Sequence, residues 1–358
     1  MSAYSPRSPS SATGASSPLD ELLAHARAAV EDASFVCRHI QRRLDALRAM
    51  TKDDASPVTI ADFASQAIVA RALSRAGILL GGLIAEESAD FLKQPEHAAH
   101  LHACVAALRD SGVWPLATAD EVIAMVDLGA ADPAALRSPT GGWTLDPVDG
   151  TKGFLRGEQY CVSLAMLRGG QVIHGLLGCP NLPHAPVAHA RADSPRGCIF
   201  LATCGQGTSM MLLGDESHAT GQIARHDLGP ADAARLSESV ETSHTRQDVA
   251  AQIMQLAGPV GPPVQMDSQC KYALLARGDA DVYLRLPSTR GYIERIWDHA
   301  AGKLIAEEAG CIVTDIRGKP LDFSRGRGLE HNDGILGAPP SLHARLLRAV
   351  AQVIPTQA

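Results

Sequence analysis

Nine residues, Asp146-Pro147-Val148-Asp149-Gly150-Thr151-Lys152-Gly153-Phe154, constrain this chain more than any other stretch. The run before them, Gly142-Trp143-Thr144-Leu145, is apolar and aromatic and reads as a strand that delivers two carboxylates into one turn. Pro147 locks one backbone angle and Gly150 permits a bend that other residues resist. Asp146, the Val148 carbonyl and Asp149 can therefore converge on one small volume. Hard oxygen donors of this kind favour Mg²⁺. Taken alone, the string is equally an ordinary Asp-Pro-x-Asp-Gly surface turn, and the rest of the chain has to decide between the two.

At 358 residues the chain exceeds what one hydrophobic core usually covers, which predicts two domains or one large layered domain. The net charge of -7 argues against a nucleic-acid partner, because binders of the phosphate backbone carry excess Lys and Arg. A small anionic substrate stays open, since metal ions supply positive charge locally. The eight cysteines show neither a Cys-x-x-Cys pair nor an alternating Cys/His cluster, so reduced, mostly buried thiols are expected. No apolar run approaches the ~20 residues that span a bilayer, and no membrane partner is expected.

Residues 1–18 are rich in Ser, Ala and Pro and read as a disordered tail, with a short organelle-targeting segment as the alternative to a cytoplasmic protein. Ser17 and Pro18 suit an N-cap and first helical position, and Leu22, Ala26, Ala29, Ala33, Ile40, Leu44 and Leu47 recur near helical spacing. Val58 to Ile60 reads as a short strand. Asp62 then opens a helix that Gly77 ends, and Ile78 to Ala85 reads as a buried strand running into Glu86-Glu87-Ser88. Residues 89–141 look helical with loops, and His97, His100 and His102 read as an exposed polar patch. Hairpins are expected at Tyr160–Leu167 with Val172–Leu177, and at Ile199–Ala202 with Ser209–Leu213. The polar stretch Asp215 to Asp232 marks a domain boundary, dividing an N-terminal α+β part (19–228) from a smaller C-terminal α/β part (229–358). In the latter, strands are expected at Leu236–Val240, Pro263–Met266 and Asp281–Leu286, with helices near 246–257 and 271–277. Asp298 begins a helix to Glu308, where an acid is ordinarily a cap.

Four spaced strings appear in one order: Ser56-Pro57-Val58-Thr59-Ile60-Ala61-Asp62, Glu86-Glu87-Ser88, Trp143 to Gly157, and Trp297-Asp298-His299-Ala300-Ala301-Gly302. Together they resemble the lithium-sensitive, Mg²⁺-dependent phosphatase superfamily of inositol monophosphatase. Gly178 to Pro183, Met266 to Tyr272 and Ala280 to Pro287 resemble its 3′(2′),5′-bisphosphate nucleotidase branch. The resemblance implies a layered α/β/α/β/α fold, a metal-binding catalytic N-terminal part and a substrate-binding C-terminal part. It further implies hydrolysis of adenosine 3′,5′-bisphosphate to AMP, with sulfated nucleotides or inositol phosphates as rival substrates and a nucleotide-sensing protein without turnover as a more distant reading.

By the same resemblance, Glu86, Asp146 and the Val148 carbonyl would hold one Mg²⁺, Asp146, Asp149 and Asp298 a second, and a third, weaker metal would lie near Asp62 and Glu86. Asp62 and the Thr151 hydroxyl would orient and deprotonate the attacking water. Gly150, His244, Ser268, Lys271 and Arg285 would meet the nucleotide. A monomer or weak homodimer is expected. Two departures, Ala85 for a usual glycine and Phe63 for a common tyrosine, put only local packing in doubt.

Overall fold

The computed structural model describes residues 17–44, 57–214, 219–240, 247–287 and 291–354. Its first helix, α1 (Pro18–Gln41), starts where the cap chemistry places it. The Ser17 hydroxyl accepts from the Asp20 N–H while the Asp20 carboxylate accepts from the Ser17 N–H. Ser17 and Pro18 thus belong to the helix rather than to a tail. Ala26, Val30, Ala33, Cys37 and Ile40 form its buried stripe, but the helix ends at Gln41, short of the Leu47 that periodicity suggested.

Val58-Thr59-Ile60, expected as a strand, is the first turn of α2 (Pro57–Arg75), and Asp62 sits in the second turn instead of opening the helix. Burial overrides the β-branched preference: Ile60, Ala61, Phe63, Ala64, Ala67, Val69, Ala70 and Leu73 expose 1% or less. A helix buried all round shows no amphipathic period to read. Helices α3 (Ala89–Lys93), α4 (Ala98–Asp110) and α5 (Ala119–Asp127) complete this layer. The histidines near them correct the expected polar patch. His97 stacks on Phe91 with ring centres 3.7 Å apart, and His100 is buried edge-on to the same ring. Phe91 in turn stacks on Phe63, so the residue standing for a tyrosine is fully packed.

A seven-stranded sheet follows chain order. Strand β1 (Leu83–Ala85) is shorter than the run from Ile78 implied and pairs in parallel with β2 (Gly142–Asp149), which leads into the short helix α6 (Thr151–Leu155). Antiparallel neighbours then continue through β3 (Cys161–Arg168), β4 (Gln171–Pro183), β5 (Arg196–Thr203), β6 (Gly207–Leu212) and β7 (Ala219–Ile223). The last strand lies inside the polar stretch that the sequence marked as a boundary. A second sheet, ordered β11-β12-β10-β8-β9, contains β8 (Leu236–Glu238), β9 (Val264–Gln265), β10 (Val282–Arg285), β11 (Ile312–Thr314) and β12 (Ile335–Ala338).

Three hydrophobic clusters define the layers. One joins α1 and α2 to the outer face of the large sheet. A second fills the space between the sheets with α8 (Cys270–Arg277) and α9 (Ala300–Glu308). The third seats α7 (Gln247–Ala257) and α10 (Pro340–Val353) against the far side of the small sheet. This is the expected α/β/α/β/α order. Two missing side chains set the middle layer: a Cβ at Gly175 of β4 would lie 2.8 Å from the Ala301 carbonyl oxygen, and one at Gly302 would lie 2.2 Å from the Tyr272 ring. Helix α9 therefore beds directly on the large sheet and against α8, which carries Asp298 to the mouth of the cleft.

Candidate active site

Strand pairing assembles the acids. Ala85 of β1 lies beside Leu145 of β2 in parallel register, so the next residues, Glu86 and Asp146, leave adjacent strand ends together. Pro147 cannot donate to a ladder, and the β2–β3 register slips by one residue between the pairs Asp146↔Ser163 and Asp149↔Cys161. The bulge brings Asp149 to the same end. Asp146 Oδ1 accepts from the Val148 N–H at 3.1 Å, and the Ser65 hydroxyl donates to the Pro147 carbonyl at 2.8 Å, pinning the turn to α2. Gly150 then adopts φ +95°, where a side chain would also collide with Ser268, and Thr151 opens α6. Asp298 is not the cap of α9. It ends a separate short turn, Ile296–Asp298, and His299 stands between it and the helix.

Glu86, Asp146, Val148, Asp149 and Asp298 line one cavity of about 370 Å³ together with Gly150, Thr151, Ser268, Lys271 and Arg285. Asp62 is not among the lining residues; it is buried and within electrostatic reach of Glu86, Glu87 and Asp146. His244 falls outside the described residues. Lys271 is 5% exposed, with its ammonium 5.5 Å from the Tyr283 ring centre. Burial lowers its pKa while the charge of Asp149 works the other way. Arg285 Nε donates to Glu294 at 2.7 Å, and Glu294 also approaches His299 Nε2 at 3.3 Å. Glu294, Asp298 and His299 offer ligand atoms within 4.8 Å of one another, but Glu294 is already engaged by two cationic or donor groups, leaving Asp298 to the cavity.

The carboxylates are under electrostatic load. Burial, then the Glu86, Asp149, Asp298 and Asp62 charges, push Asp146 well above the usual carboxylate range. Burial and Asp149 do the same to Asp298, and burial with Glu87 and Glu86 to Asp62. Glu86 is raised chiefly by burial, and Glu87 reaches about 7 through burial and Glu86. Asp149 is raised by burial in spite of a 2.6 Å hydrogen bond from the Gln269 N–H. Oxygen donors gathered with so little internal compensation form a site that divalent cations complete, and the donor set suits Mg²⁺.

Several supporting residues had no distinct sequence signal. Gln66 grips Glu87 from both sides, donating to its carbonyl at 2.9 Å and accepting from its N–H at 3.1 Å. Gln269 holds Asp149 by its backbone and the Trp297 carbonyl by its side chain at 2.9 Å. Arg327 reaches from the C-terminal part to the Ala85 carbonyl, its guanidinium 4.8 Å from the Trp297 ring centre. Gln269 was legible only as a neighbour of Ser268 and Lys271; Gln66 lies one helical turn past Asp62.

The comparisons with known proteins bear on the family of the chain. Residues 19–354 match the model of the inositol monophosphatase family. The chain is 38% identical to the 3′(2′),5′-bisphosphate nucleotidase of Schizosaccharomyces pombe, covering 91% of this chain and 94% of that protein. It is 37% identical to the enzyme of that name from Oryza sativa, over 96% and 97% of the two chains. Among solved structures, the inositol monophosphatase of Anabaena superposes with a TM-score of 0.58 at 21% identity, covering 95% of this chain and 98% of that one. With its layered fold and a carboxylate-lined cleft at the end of β2, this chain belongs to the inositol monophosphatase family.

Proposed function

We propose that this protein is a Mg²⁺-dependent phosphomonoesterase that removes the 3′-phosphate of adenosine 3′,5′-bisphosphate, leaving AMP and phosphate. The observation that carries the reading is a cavity lined by acids together with Lys271 and Arg285, in a chain 37–38% identical to two bisphosphate nucleotidases. Glu86, Asp146 and the Val148 carbonyl would hold one cation, and Asp146, Asp149 and Asp298 a second, with Asp62 and Glu86 beside a weaker third. Bound there, Mg²⁺ supplies the positive charge that neutralises the phosphate oxygens and makes water acidic.

The remaining work falls to the chain. Asp62, proton-avid through burial, takes the proton of the attacking water, and the Thr151 hydroxyl orients that water in line with the scissile bond. Water attacks phosphorus, the bond to the ribose 3′ oxygen breaks, and a second water would protonate the departing oxygen to the 3′-hydroxyl. Gly150 lets the backbone approach the phosphate, while Ser268, Lys271, Arg285 and His244 hold the nucleotide. Eight unpaired cysteines, seven of them buried, fit a reducing compartment such as the cytoplasm, and among the described residues no helix is long and apolar enough to cross a membrane. A monomer or weak homodimer completes the reading.

The test is phosphate release from matched concentrations of adenosine 3′,5′-bisphosphate, its 5′-phosphosulfate counterpart, an inositol monophosphate and an inositol polyphosphate in Mg²⁺. The 3′,5′-bisphosphate should be the best substrate. An inositol phosphate turned over faster than every bisphosphate nucleotide would overturn the choice.

A further inference from the structure

A second cavity, of about 420 Å³, shares no lining residue with the acidic cleft. Arg38 and Arg42 from the end of α1 and Arg196 from the start of β5 line it, with Gln41, Asn181 and Gly157 between them. No carboxylate lines this cavity, and none of the three guanidiniums has a carboxylate partner among the described residues. Arg38 donates one N–H to the Pro180 carbonyl at 2.8 Å and Arg196 one to the Asn181 carbonyl at 3.0 Å; the Arg38 Nε is buried without a hydrogen-bond partner. In a chain of net charge -7, three arginines that line one hollow without a carboxylate partner among the described residues need a reason. Their charges repel across it: burial first, and the Arg42 charge as well, lower the pKa of Arg38. A bound anion removes that repulsion and supplies acceptors to donors in fork geometry.

We propose that this cavity is a second anion site, distinct from the catalytic cleft, that takes the phosphate or sulfate group of a small molecule. The planar, multi-donor guanidinium matches a tetrahedral oxyanion, and the volume admits a group larger than the bare ion. The lining also touches the catalytic loop. Gln41 donates to the Phe154 carbonyl at 3.0 Å and accepts from Asn181 at 2.8 Å, so two residues of the anion site hold the segment that runs back to Thr151.

The test is calorimetric titration of the full chain in Mg²⁺ with sodium sulfate and, separately, sodium phosphate, against chloride at matched ionic strength. Three proteins are compared: the wild type, Arg42→Ala with Arg196→Ala, and Arg42→Lys with Arg196→Lys. Both altered residues are exposed, and thermal melts establish that each double variant folds. The wild type should show a class of site that the alanine pair weakens at least about tenfold and the lysine pair, which keeps the charge but not the fork, restores only in part. The sulfate and phosphate arms tell which group the site prefers. Heat of binding, not turnover, is the readout, so the outcome is independent of the substrate chosen above. Superimposable isotherms for the wild type and the alanine pair, with both anions, would overturn the proposal.

Discussion

Two buried aspartates in this molecule differ in what surrounds them. Asp281, 2% exposed at the start of β10, accepts from the Arg235 N–H at 2.7 Å and from Arg235 Nε at 2.9 Å, and pairs with Arg225. Burial alone would raise its pKa, but the Arg235 hydrogen bonds and both guanidinium charges outweigh burial and lower it. Asp146, 3% exposed, has Glu86, Asp149 and Asp298 for neighbours and is pushed the other way. Burial is the same in both places; compensation is not. A fold that satisfies one buried acid with two arginines, and leaves buried Asp146 facing a cavity beside half-buried Asp149 and Asp298 and the more exposed Glu86, is storing an electrostatic debt where a cation and a phosphate can settle it.

Substitution separates the two cases. Asp146→Asn removes the charge shared by both proposed cation positions while nearly preserving shape, and should cut turnover on the order of 10³-fold or more. Its metal-free melting temperature should hold or rise, because repulsion is relieved. Steady-state rates at saturating Mg²⁺ and thermal melts in chelator measure the two halves, and near-normal rates would show that Asp146 is not the bridging ligand. Asp281→Asn should behave in reverse. It leaves the buried Arg225 and the half-buried Arg235 guanidiniums beside a neutral amide and should cost about 3 kcal/mol in denaturant unfolding, with turnover of the folded fraction little changed. Thr151→Ala should spare Mg²⁺ affinity and lower turnover by about 10²-fold; collapse of metal affinity would make Thr151 a support of the turn instead.

What the sequence made legible follows the same physics. Hairpins, the Pro147 turn and the Ser17 cap are written in local spacing, whereas the layered order and the grouping of Asp298 with Asp146 and Asp149 came from four motifs in order and the family they resemble. Val58-Thr59-Ile60 misled because burial of every residue from Ile60 to Ala70 leaves no amphipathic period, and the β-branched residues of the first turn then speak for a strand. His100 misled because polarity says nothing about an aromatic neighbour nine residues back. Long-range contacts such as Gln66 to Glu87 and Arg327 to Ala85 were invisible because only the tertiary fold brings them together.

A monovalent ion probes the uncompensated cluster alone. Li⁺ approaches Mg²⁺ in size with half the charge, so it should occupy the weaker cation position without polarising the phosphate. Initial rates at saturating nucleotide and fixed Mg²⁺ should fall with Li⁺ and less with Na⁺, and Ca²⁺ should also inhibit. Rates indifferent to Li⁺ would contradict a weakly held cation in the cleft.

The most direct measurement is the melting temperature against pH, with and without Mg²⁺. A carboxyl whose folded pKa is raised contributes stability that is present below its ordinary value and lost as pH rises through the raised one. For Glu87 that window runs from 4.5 to about 7, and Asp62, Asp146 and Asp298 are displaced in the same direction from 3.8. Asp281 has the opposite sign, and its contribution is lost only as pH falls below 3.8. Metal-free protein should therefore lose melting temperature between about pH 5 and 8, and Mg²⁺ should restore it most at pH 8. Asp146→Asn should shrink both the metal-free slope and the Mg²⁺ increment. A Mg²⁺ increment that is the same at pH 5 and pH 8, and unchanged in Asp146→Asn, would mean that the buried acids at the end of β2 are not the cation site.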